Sequence, residues 1–409
     1  MSAAAVVVGA GEAGARAVAE LREAGHDGPI TLVGEEGRAP YERPPLSKEA
    51  LTGEDEPAPR TIRDADGLAA DGVTFLSGVR ATGIDREARR VTLSDGQTIG
   101  YDALLLATGA RARPLPCPGG ENARLLRSFD DAAALRKRLA SGARVVLVGG
   151  GFIGLELAAS AAARGARVTV LEAAPRILGR IVPEEIAAIV AGRHAEAGVE
   201  IRCGVTIERI EGGEAGCRVV LADGPALEAD TVIAGIGAVP NTELAEAAGL
   251  AIDNGVAVDG AMRSSDPAIF AAGDCASFPH PLYDGRRIRL EAWRGAQDAA
   301  ETAARAMAGQ AVEHEAVPWF WSDQVDMTMQ IAGLPDAGAA TVVREREDGV
   351  AIRFRVAGDG RVLAASAIGP GNAVAKDIRL AEMMIARRAA PARERLADPS
   401  VGLKKLLAG

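Results

Sequence analysis

The chain has 409 residues, with 46 Lys and Arg against 56 Asp and Glu, so its formal net charge is −10. This acidic balance argues against a broad nucleic-acid or anionic-membrane surface, and a hydrophobic content of 48% argues against a disordered chain. No apolar run approaches the ~18–20 residues of a membrane helix, and the length predicts about two to four domains.

The first part of the sequence predicts a strand–helix–strand unit. Apolar residues 4–8 are typical of a buried strand, residues 12–24 of a helix and residues 30–33 of a second strand. Adjacent prolines in residues 42–48 predict an extended, stiff segment, because proline interrupts regular helix. Further short strands are predicted at residues 73–75, 90–93 and 104–107.

The same order of elements recurs in the second part of the chain. A helix is predicted at residues 130–140, and then a strand at 144–148, a helix at 152–164 and a strand at 167–171. Strand-like pieces continue to Ile233. This duplication indicates a second domain of the same α/β type.

The last third predicts a return to the first type of domain and then a change of character. A strand is expected over residues 269–274 and a helix over 292–307. Beyond Pro318, polar and apolar residues alternate, with a hairpin turn at residues 347–349 and a helix at 373–388. The alternating segments are residues 319–331, 341–346, 350–356 and 361–368. A small α+β domain is therefore expected at the C-terminal end.

The first glycine motif, Gly9-Ala-Gly11-Glu-Ala-Gly14, follows a predicted strand and opens a predicted helix. Its glycines permit a tight turn, leave the backbone open to a pyrophosphate and allow close helix–strand packing. Glu35 follows the second strand, about 20 residues later, where a carboxylate is placed to bind ribose hydroxyls. The pattern predicts a dinucleotide site; the alternative is a glycine-rich turn with a solvated Glu35.

The second motif, Gly149-Gly-Gly151-Phe-Ile-Gly154, repeats this arrangement, and Glu172 closes its second strand. A carboxylate at that position favours NADH over NADPH, because it repels a 2′-phosphate. Arg176 and Arg180 follow closely and would weaken that preference. Two such motifs predict two dinucleotides, or one functional site and one decayed site; the first case implies a redox protein with one resident and one visiting cofactor.

Seven motifs together resemble the FAD-dependent, NADH-oxidising ferredoxin reductases that serve Rieske oxygenases and bacterial cytochromes P450. This is the putidaredoxin/rubredoxin/biphenyl-dioxygenase reductase group, which has the glutathione-reductase fold. The motifs are residues 9–14, 42–48, 107–109, 149–154 with Glu156, 272–274, 290–293 and 319–323. The resemblance covers essentially the whole chain. It implies an α/β fold with a discontinuous Rossmann-like FAD domain (1–112 and 241–317), a Rossmann-like NAD domain (113–240) and a C-terminal α+β domain (318–409).

The resemblance also implies a set of site residues. For FAD these are Gly9, Gly11, Gly14, Glu35, Arg43, Lys48, Thr108, Gly109, Arg127, Gly273 and Asp274. For NADH they are Gly149, Gly151, Phe152, Ile153, Gly154, Glu172 and Arg180. Lys48 would lie near the reactive edge of the flavin with Glu156 beside it at the nicotinamide, and these two are the expected catalytic residues. Trp319 or Trp321 would flank the flavin.

Simpler interpretations of the same residues stay open. Lys48 and Glu156 are also compatible with surface positions, Asp274 with a turn, and the tryptophans with an apolar core. Four histidines are expected at the surface rather than in acid–base roles: His26, His194, His280 and His314.

The cysteine pattern restricts the chemistry. Cys117, Cys203, Cys217 and Cys275 have no C-x-x-C spacing, and residues 45–51, where disulfide-reducing relatives carry reactive cysteines, contain none. A thiol relay is therefore not expected, no metal site is predicted, and reduced thiols favour a cytoplasmic protein. Electrons would leave the flavin singly for a [2Fe–2S] ferredoxin. The alternatives are an NADH oxidase or quinone-type reductase and an NADH-sensing interaction module.

The charge distribution suggests where a ferredoxin would dock. Residues 341–409 contain 13 Lys or Arg and 8 Asp or Glu, a net charge of +5 within an acidic chain. With Arg287 and Arg289 this segment is the candidate basic patch for an acidic ferredoxin; the alternative is ordinary solvated surface. The sequence does not decide the oligomeric state, and a monomer is compatible with it.

Overall fold

The structure, a computed structural model, describes residues 3–213 and 216–407. The chain forms two compact units. The first takes its described residues from Met1–Glu42, Arg60–Arg111 and Pro240–Phe320, and the second from Arg43–Pro59, Ala112–Val239 and Trp321–Gly409. In the part of the chain described, no helix is both long and apolar enough to span a membrane. The three-domain division stays a prediction.

The elements up to residue 112 are mostly short strands. The strands are β1 (Ala5–Val8), β2 (Ile30–Gly34), β3 (Val73–Ser77), β4 (Ala81–Asp85), β5 (Arg90–Leu93), β6 (Thr98–Gly100), β7 (Ala103–Leu106) and β8 (Ala110–Ala112). The helices are α1 (Glu12–Glu23), α2 (Glu49–Thr52) and α3 (Ala65–Ala70).

The middle of the chain repeats the strand–helix–strand order. Its helices are α4 (Phe129–Arg138), α5 (Phe152–Ala163) and α6 (Glu184–Glu196). Its strands are β9 (Arg144–Val148), β10 (Arg167–Glu172), β11 (Val199–Cys203), β12 (Ile207–Gly213), β13 (Gly216–Leu221), β14 (Leu227–Ala229), β15 (Thr231–Ala234) and β16 (Ala238–Pro240).

The remaining elements complete both units. The strands are β17 (Val256–Ala257), β18 (Ile269–Ala271), β19 (Ala276–His280), β20 (Arg286–Ile288), β21 (Trp319–Gln324), β22 (Met327–Gly333), β23 (Ala340–Glu345), β24 (Ala351–Val356) and β25 (Val362–Pro370). The helices are α7 (Glu243–Ala247), α8 (Trp293–Met307), α9 (Ala375–Ala386) and α10 (Arg393–Ala397).

The first unit is organised around a parallel sheet of order β18-β7-β1-β2-β3. Its central strands are short apolar runs buried on both faces, as is typical of parallel sheets. Strand β18 joins from far along the chain, which makes the unit discontinuous. Helices α1 and α8 pack together through alanines, and buried Glu20 links them by accepting from Arg16 (2.8 Å) and Arg305 (2.6 Å).

The second unit contains a parallel sheet of order β11-β10-β9-β15 and an antiparallel sheet of order β21-β22-β25-β24-β23. Helix α5 packs on β9 and β10, and α9 packs on β22 and β25. Buried Arg344 of β23 donates to the carbonyls of Asp398 (2.7 Å) and Val401 (2.7 Å), so its guanidinium fixes the end of the chain against this sheet.

The predicted fold class is confirmed, and most predicted elements begin and end within two residues of the observed ones. The extended segment expected at the adjacent prolines is wrong. Pro44–Ser47 form a 3₁₀ turn that leads into α2, because proline is well suited to a first helical turn, where its missing N–H would have no partner in any case. The alternating segment 319–331 is two strands, with Val325 between them at φ 61°.

The expectation that all four histidines lie at the surface is also wrong. His194, His280 and His314 are buried, with relative exposures of 0%, 0% and 2%. Each finds a hydrogen-bond partner: Gln324 Oε1 for His194, the carbonyl of Ala316 for His280 and Thr302 Oγ1 for His314. Burial lowers the pKa of all three, and that of His314, which also faces His280, falls to about 4.

We expect acid to destabilise the first unit through His314. Its folded-state pKa lies below its ordinary value of 6.5, so the unfolded chain binds the proton more tightly, and stability present above pH 6.5 is lost as the pH falls towards 4. Between pH 7.5 and 4 this single group accounts for about 3 kcal/mol. Its ring faces Phe278, His280 and Thr302.

The measurement is urea unfolding of the wild type and of a His314→Asn variant over that pH range. The variant, which has no proton to take up at this position, should be less stable at pH 7.5 but should lose about 3 kcal/mol less on acidification. Equal losses in the two proteins would contradict the assignment.

Candidate functional site

The first glycine motif turns sharply between β1 and α1 in the first unit. Gly9 has φ 114°, and a Cβ there would lie 2.1 Å from the carbonyl oxygen of Ala107. A Cβ on Gly14 would lie 1.8 Å from the carbonyl oxygen of Gly9, whereas one on Gly11 would meet nothing within 4 Å. Gly9 and Gly14 therefore fix the turn, and Gly11 presents bare backbone to open space. We call residues 9–14 the first cradle.

The N-terminal end of α1 faces this open space. Gly11 is the N-cap residue and supplies no side-chain cap, so the first-turn N–H groups are available to an anion. Glu12, which the sequence analysis did not single out, accepts from Gln297 Nε2 of α8 at 2.6 Å, and burial raises its pKa. A pyrophosphate fits such an end, because the helix dipole and the backbone N–H groups both favour negative charge.

The other residues predicted for FAD in the first unit follow neighbouring strands of the same sheet. Glu35 follows β2 and is exposed, 3.9 Å from Arg80. Thr108 and Gly109 follow β7, and Asp274 follows β18, half-buried. Parallel strands bring their carboxyl ends to one edge, so the structure gathers these residues around the first cradle, the usual ligand position of such a sheet.

Two of these turns are held by close contacts. Thr108 Oγ1 donates to the carbonyl of Asn241 at 2.7 Å, and Asn241 Nδ2 donates back to the carbonyl of Thr108 at 2.8 Å. Gly273 has φ 78°, and a Cβ there would lie 3.1 Å from Ala13 Cβ of α1. Asn241 was not among the predicted residues, because only the fold brings its amide to Thr108.

The second motif, which we call the second cradle (residues 149–154), repeats this geometry in the second unit. Gly149 has φ 107°, and a Cβ there would lie 2.5 Å from the carbonyl oxygen of Gly235. A Cβ on Gly154 would lie 2.2 Å from the carbonyl oxygen of Gly149, whereas one on Gly151 meets its nearest atom only at 4.0 Å. The backbone of the second cradle therefore keeps the same open geometry as the first, which favours a functional site over a decayed one.

Glu172 at the end of β10 is fixed beside the second cradle. Its Oε2 accepts from the N–H of Gly150 at 2.6 Å and its Oε1 from the N–H of Ala174 at 2.7 Å. Ile153 is exposed in the first turn of α5. Arg180 is exposed in the loop after β10, whereas Arg176 donates to the carbonyls of Ile177, Gly179 and Val182.

Lys48 and Glu156 meet within the second unit. Lys48 Nζ lies 2.9 Å from Glu156 Oε2, and the two side chains are 21% and 7% exposed. Glu156 lies in the second turn of α5, directly after the second cradle. Its Oε2 also accepts from Ser47 Oγ at 2.6 Å and its Oε1 from Ser322 Oγ at 2.6 Å. The surface position considered for Glu156 is wrong: the carboxylate is buried and accepts from three donors.

The other residues predicted for the flavin are Arg43, Arg127, Trp319 and Trp321. Arg43 Nη1 donates to the carbonyl of Arg127 at 2.5 Å in the second unit. Trp319 lies under the guanidinium of Arg294, 5.3 Å from ring centroid to Cζ, and Trp321 Nε1 donates to Asp323 Oδ2 at 3.3 Å. Both tryptophans are half-buried.

No thiol in the chain is activated. Desolvation is the largest influence on all four cysteines and raises the pKa of each above its ordinary value. Cys275, next to Asp274, is fully buried with its sulfur 3.4 Å from the carbonyl of Leu106. A nucleophilic thiolate is therefore disfavoured at every position.

Comparisons with known proteins agree with this arrangement. Residues 3–306 match the family described as pyridine nucleotide-disulphide oxidoreductase, and residues 319–407 match the domain described as reductase C-terminal. The chain is 42% identical over 405 residues to the ferredoxin–NAD(+) reductase component of an anthranilate 1,2-dioxygenase system from Burkholderia cepacia, covering 98% of both chains. It is 42% identical to putidaredoxin reductase from Pseudomonas putida, covering 83% of this chain and 82% of the relative.

One solved structure similar to this chain holds a protein partner. It is the covalent complex of putidaredoxin reductase with putidaredoxin, with a TM-score of 0.93, 38% identity, and coverage of 99% of this chain and 98% of that one.

Proposed function

The chain belongs to the pyridine nucleotide-disulphide oxidoreductase family, and on this premise we propose that it oxidises NADH and passes the electrons to a [2Fe–2S] ferredoxin that supplies an oxygenase. The predicted family, the ferredoxin–NAD reductase activity and the use of FAD and NAD are confirmed. We further propose the type of ferredoxin, the surface on which it docks and the roles of individual residues.

The repeated cradle carries the proposal. Each parallel sheet presents a glycine turn in which the first and third glycines fit against backbone and the second faces open space. The first cradle, with Thr108, Gly109, Gly273 and Asp274, would hold FAD, and the second, with Glu172, would hold NADH. Bound FAD accepts two electrons together and releases them one at a time. Without an activated thiol, no dithiol stage is needed between the two cofactors and the partner.

Lys48 and Glu156 serve the nicotinamide end of the second cradle in this proposal. Glu156 lies two residues beyond the cradle on α5, and its carboxylate holds the Lys48 ammonium at 2.9 Å. A fixed positive charge at this place stabilises negative charge that develops during hydride transfer. The expected contacts of Arg43, Arg127, Trp319 and Trp321 with the flavin stay predictions.

We expect Glu172 to set the preference for NADH. Its carboxylate is fixed by two backbone donors at 2.6 and 2.7 Å, so its charge stays beside the cradle and repels a 2′-phosphate. Glu172→Gln keeps an acceptor for Gly150 but removes the charge, and should lower the ratio of kcat/KM for NADH over NADPH by about tenfold, ~1.4 kcal/mol.

Steady-state kinetics with both nucleotides measure that ratio. Glu172→Ala, which also removes the two backbone hydrogen bonds, should lower it further and should also raise KM for NADH. An unchanged ratio in both variants would contradict a role at the ribose.

The candidate basic patch can be narrowed to the end of the chain. Residues 386–407 contain six Lys or Arg and two Asp or Glu. The six cations, which we call the C-terminal basic cluster, are all exposed: Arg387, Arg388, Arg393, Arg395, Lys404 and Lys405. Among the other cations of the segment, Arg344 is buried and donates to backbone carbonyls, and Arg346, Arg353 and Arg379 form ion pairs. Arg287 and Arg289 pair with Asp253 and Glu291. We therefore propose that an acidic ferredoxin docks on the C-terminal basic cluster.

Reduction of a ferredoxin as a function of salt tests this surface. Because exposed charges are screened within about 10 Å at 0.1 M salt, KM for an acidic [2Fe–2S] ferredoxin should rise about tenfold between 20 and 300 mM NaCl. Arg393→Glu with Arg395→Glu should give a similar rise at low salt, whereas Lys137→Glu on α4, also exposed, should not.

The same assay separates the proposal from its alternatives. NADH turnover with oxygen or a quinone alone should be slow and should accelerate when ferredoxin is added. Fast turnover without ferredoxin would support the oxidase or quinone-type reductase, and NADH binding with no acceleration by any ferredoxin would support the sensing module.

The setting of the reaction completes the proposal. All four cysteines are free thiols, in keeping with a reducing cytoplasm. Since no partner copy has to complete a dithiol site, we propose that the monomer is active.

A further inference from the structure

A buried line of hydrogen bonds leads from Glu156 to a histidine that the sequence analysis expected at the surface. Ser322 Oγ donates to Glu156 Oε1 at 2.6 Å, Gln324 Nε2 donates to Ser322 Oγ at 2.8 Å, and His194 Nε2 lies 2.9 Å from Gln324 Oε1. The exposures of Glu156, Ser322, Gln324 and His194 are 6%, 1%, 0% and 0%.

The donors along this line all point towards Glu156. The Gln324 amide also donates to the carbonyl of Phe152 at 3.4 Å, and a carbonyl can only accept, which fixes the amide orientation. Gln324 Oε1 must then accept, so His194 carries its proton on Nε2. The Ser322 hydroxyl accepts a hydrogen bond from Gln324 and donates its single hydrogen to Glu156. At the end of the line, Glu156 Oε1 accepts this hydrogen bond.

The line of hydrogen bonds connects three elements: β21, α6 and the start of α5. Alternation along β21 turns Ser322 and Gln324 to one face of the strand and Trp321 and Asp323 to the other. His194 belongs to α6, whose neighbouring Arg193 pairs with Asp326 just after β21. Because Gln324 also bonds Phe152 of the second cradle, the same amide ties the cradle and the carboxylate to one strand.

We propose that Ser322, Gln324 and His194 are positioning residues that hold the Glu156 carboxylate, and through it the Lys48 ammonium, in place for the nicotinamide of NADH. The inference rests on the proposed function of the second cradle. The line orients groups rather than conducting protons, because a neutral amide at its centre has no proton to pass on.

His194 Nδ1 is buried and has no hydrogen-bond partner within residues 3–213 and 216–407. Desolvation lowers the pKa of this ring, so it stays neutral and offers a single donor. His194 therefore leaves its Nδ1 buried without a hydrogen bond, while its Nε2–H donates to Gln324.

The test compares two substitutions of His194 in the FAD-loaded protein. His194→Leu removes the donor, and we expect the limiting rate of flavin reduction by NADH in stopped flow to fall about tenfold. His194→Gln restores an N–H donor at similar reach and should stay within about threefold of the wild type. His280→Leu, at an equally buried histidine of the first unit, should not change the rate.

Two further measurements separate positioning from general damage. The dissociation constant of NAD⁺, measured by calorimetry, should change less than about threefold in His194→Leu. The reason is that Ser322, Gln324 and His194 are not among the residues assigned to the adenosine or the pyrophosphate of the nucleotide. Histidine ¹⁵N NMR of the wild type at pH 7 should show the neutral Nε2–H form for the signal that disappears in His194→Gln.

Several outcomes would overturn the inference. They are a wild-type reduction rate in His194→Leu, a His194→Gln variant as slow as His194→Leu, or an Nδ1–H or doubly protonated ring. If His194→Leu does not fold, Ser322→Ala is tested in its place. Its control is Ser277→Ala, at another buried serine. An unchanged rate of flavin reduction in Ser322→Ala overturns the inference equally. Wild-type protein that NADH cannot reduce would overturn the proposed function as well.

Discussion

A Gly11→Val variant should fold and yet be purified without FAD. A Cβ at this position meets no atom within 4 Å, and the backbone, at φ −90° and ψ −161°, lies in the β region that valine prefers. The side chain would occupy the space through which a pyrophosphate reaches the N–H groups of α1. We expect the affinity for FAD to fall about 100-fold or more, ~2.7 kcal/mol. Gly9 and Gly14 do not suit this experiment, because a Cβ at either overlaps a backbone carbonyl.

The second cradle supplies the matched control. Gly151 is likewise an extended N-cap residue, and a Cβ there is 4.0 Å from its nearest neighbour. Gly151→Val should therefore keep FAD and its yellow colour but should no longer be reduced by micromolar NADH. Absorption spectra of both purified variants, circular dichroism to check folding and an anaerobic NADH titration are the measurements. A yellow Gly11→Val protein with full FAD content would contradict the assignment of the first cradle.

The cradles could be predicted from the sequence because their signal is local. A strand, three spaced glycines, a helix and a terminal carboxylate occupy about 30 consecutive residues, and each glycine has a backbone reason to be there. The duplication then predicted the second sheet as well. The pattern also predicted that the second glycine of each motif leaves the backbone open, and the Cβ positions at Gly11 and Gly151 agree with this.

The surroundings of Glu156 could not be predicted in this way. Ser47 and Ser322 are 109 and 166 residues from it in sequence, and His194 is 130 residues from Gln324. No periodicity links these positions, and the pairing with Lys48 was expected only from the resemblance to known reductases. Single histidines in helices carry no sign of burial, so His194 was placed at the surface. The fold brings these residues together because the chain segments Arg43–Pro59, Ala112–Val239 and Trp321–Gly409 belong to one compact unit.

Removing the ammonium of Lys48 should slow the reduction of FAD by NADH strongly while leaving FAD in place. Lys48→Met keeps most of the aliphatic stem but leaves the buried carboxylate of Glu156 with only its two serine donors. A buried charge without its partner disturbs its surroundings, and the positive charge beside the second cradle is lost. We expect the limiting rate in stopped flow to fall about 10- to 100-fold, ~1.4–2.7 kcal/mol. Lys137→Met, at an exposed lysine of α4, should be neutral.

A double-mutant cycle shows whether Lys48 acts as part of the ion pair. Glu156→Gln alone should also slow reduction, because it releases the ammonium from its 2.9 Å partner. If the pair acts as one group, the Lys48→Met, Glu156→Gln double variant should be no slower than the slower single variant, since groups that act together are not additive. Rate losses that multiply in the double variant would mean that the two residues act separately, and an unchanged rate in Lys48→Met would remove this lysine from the mechanism.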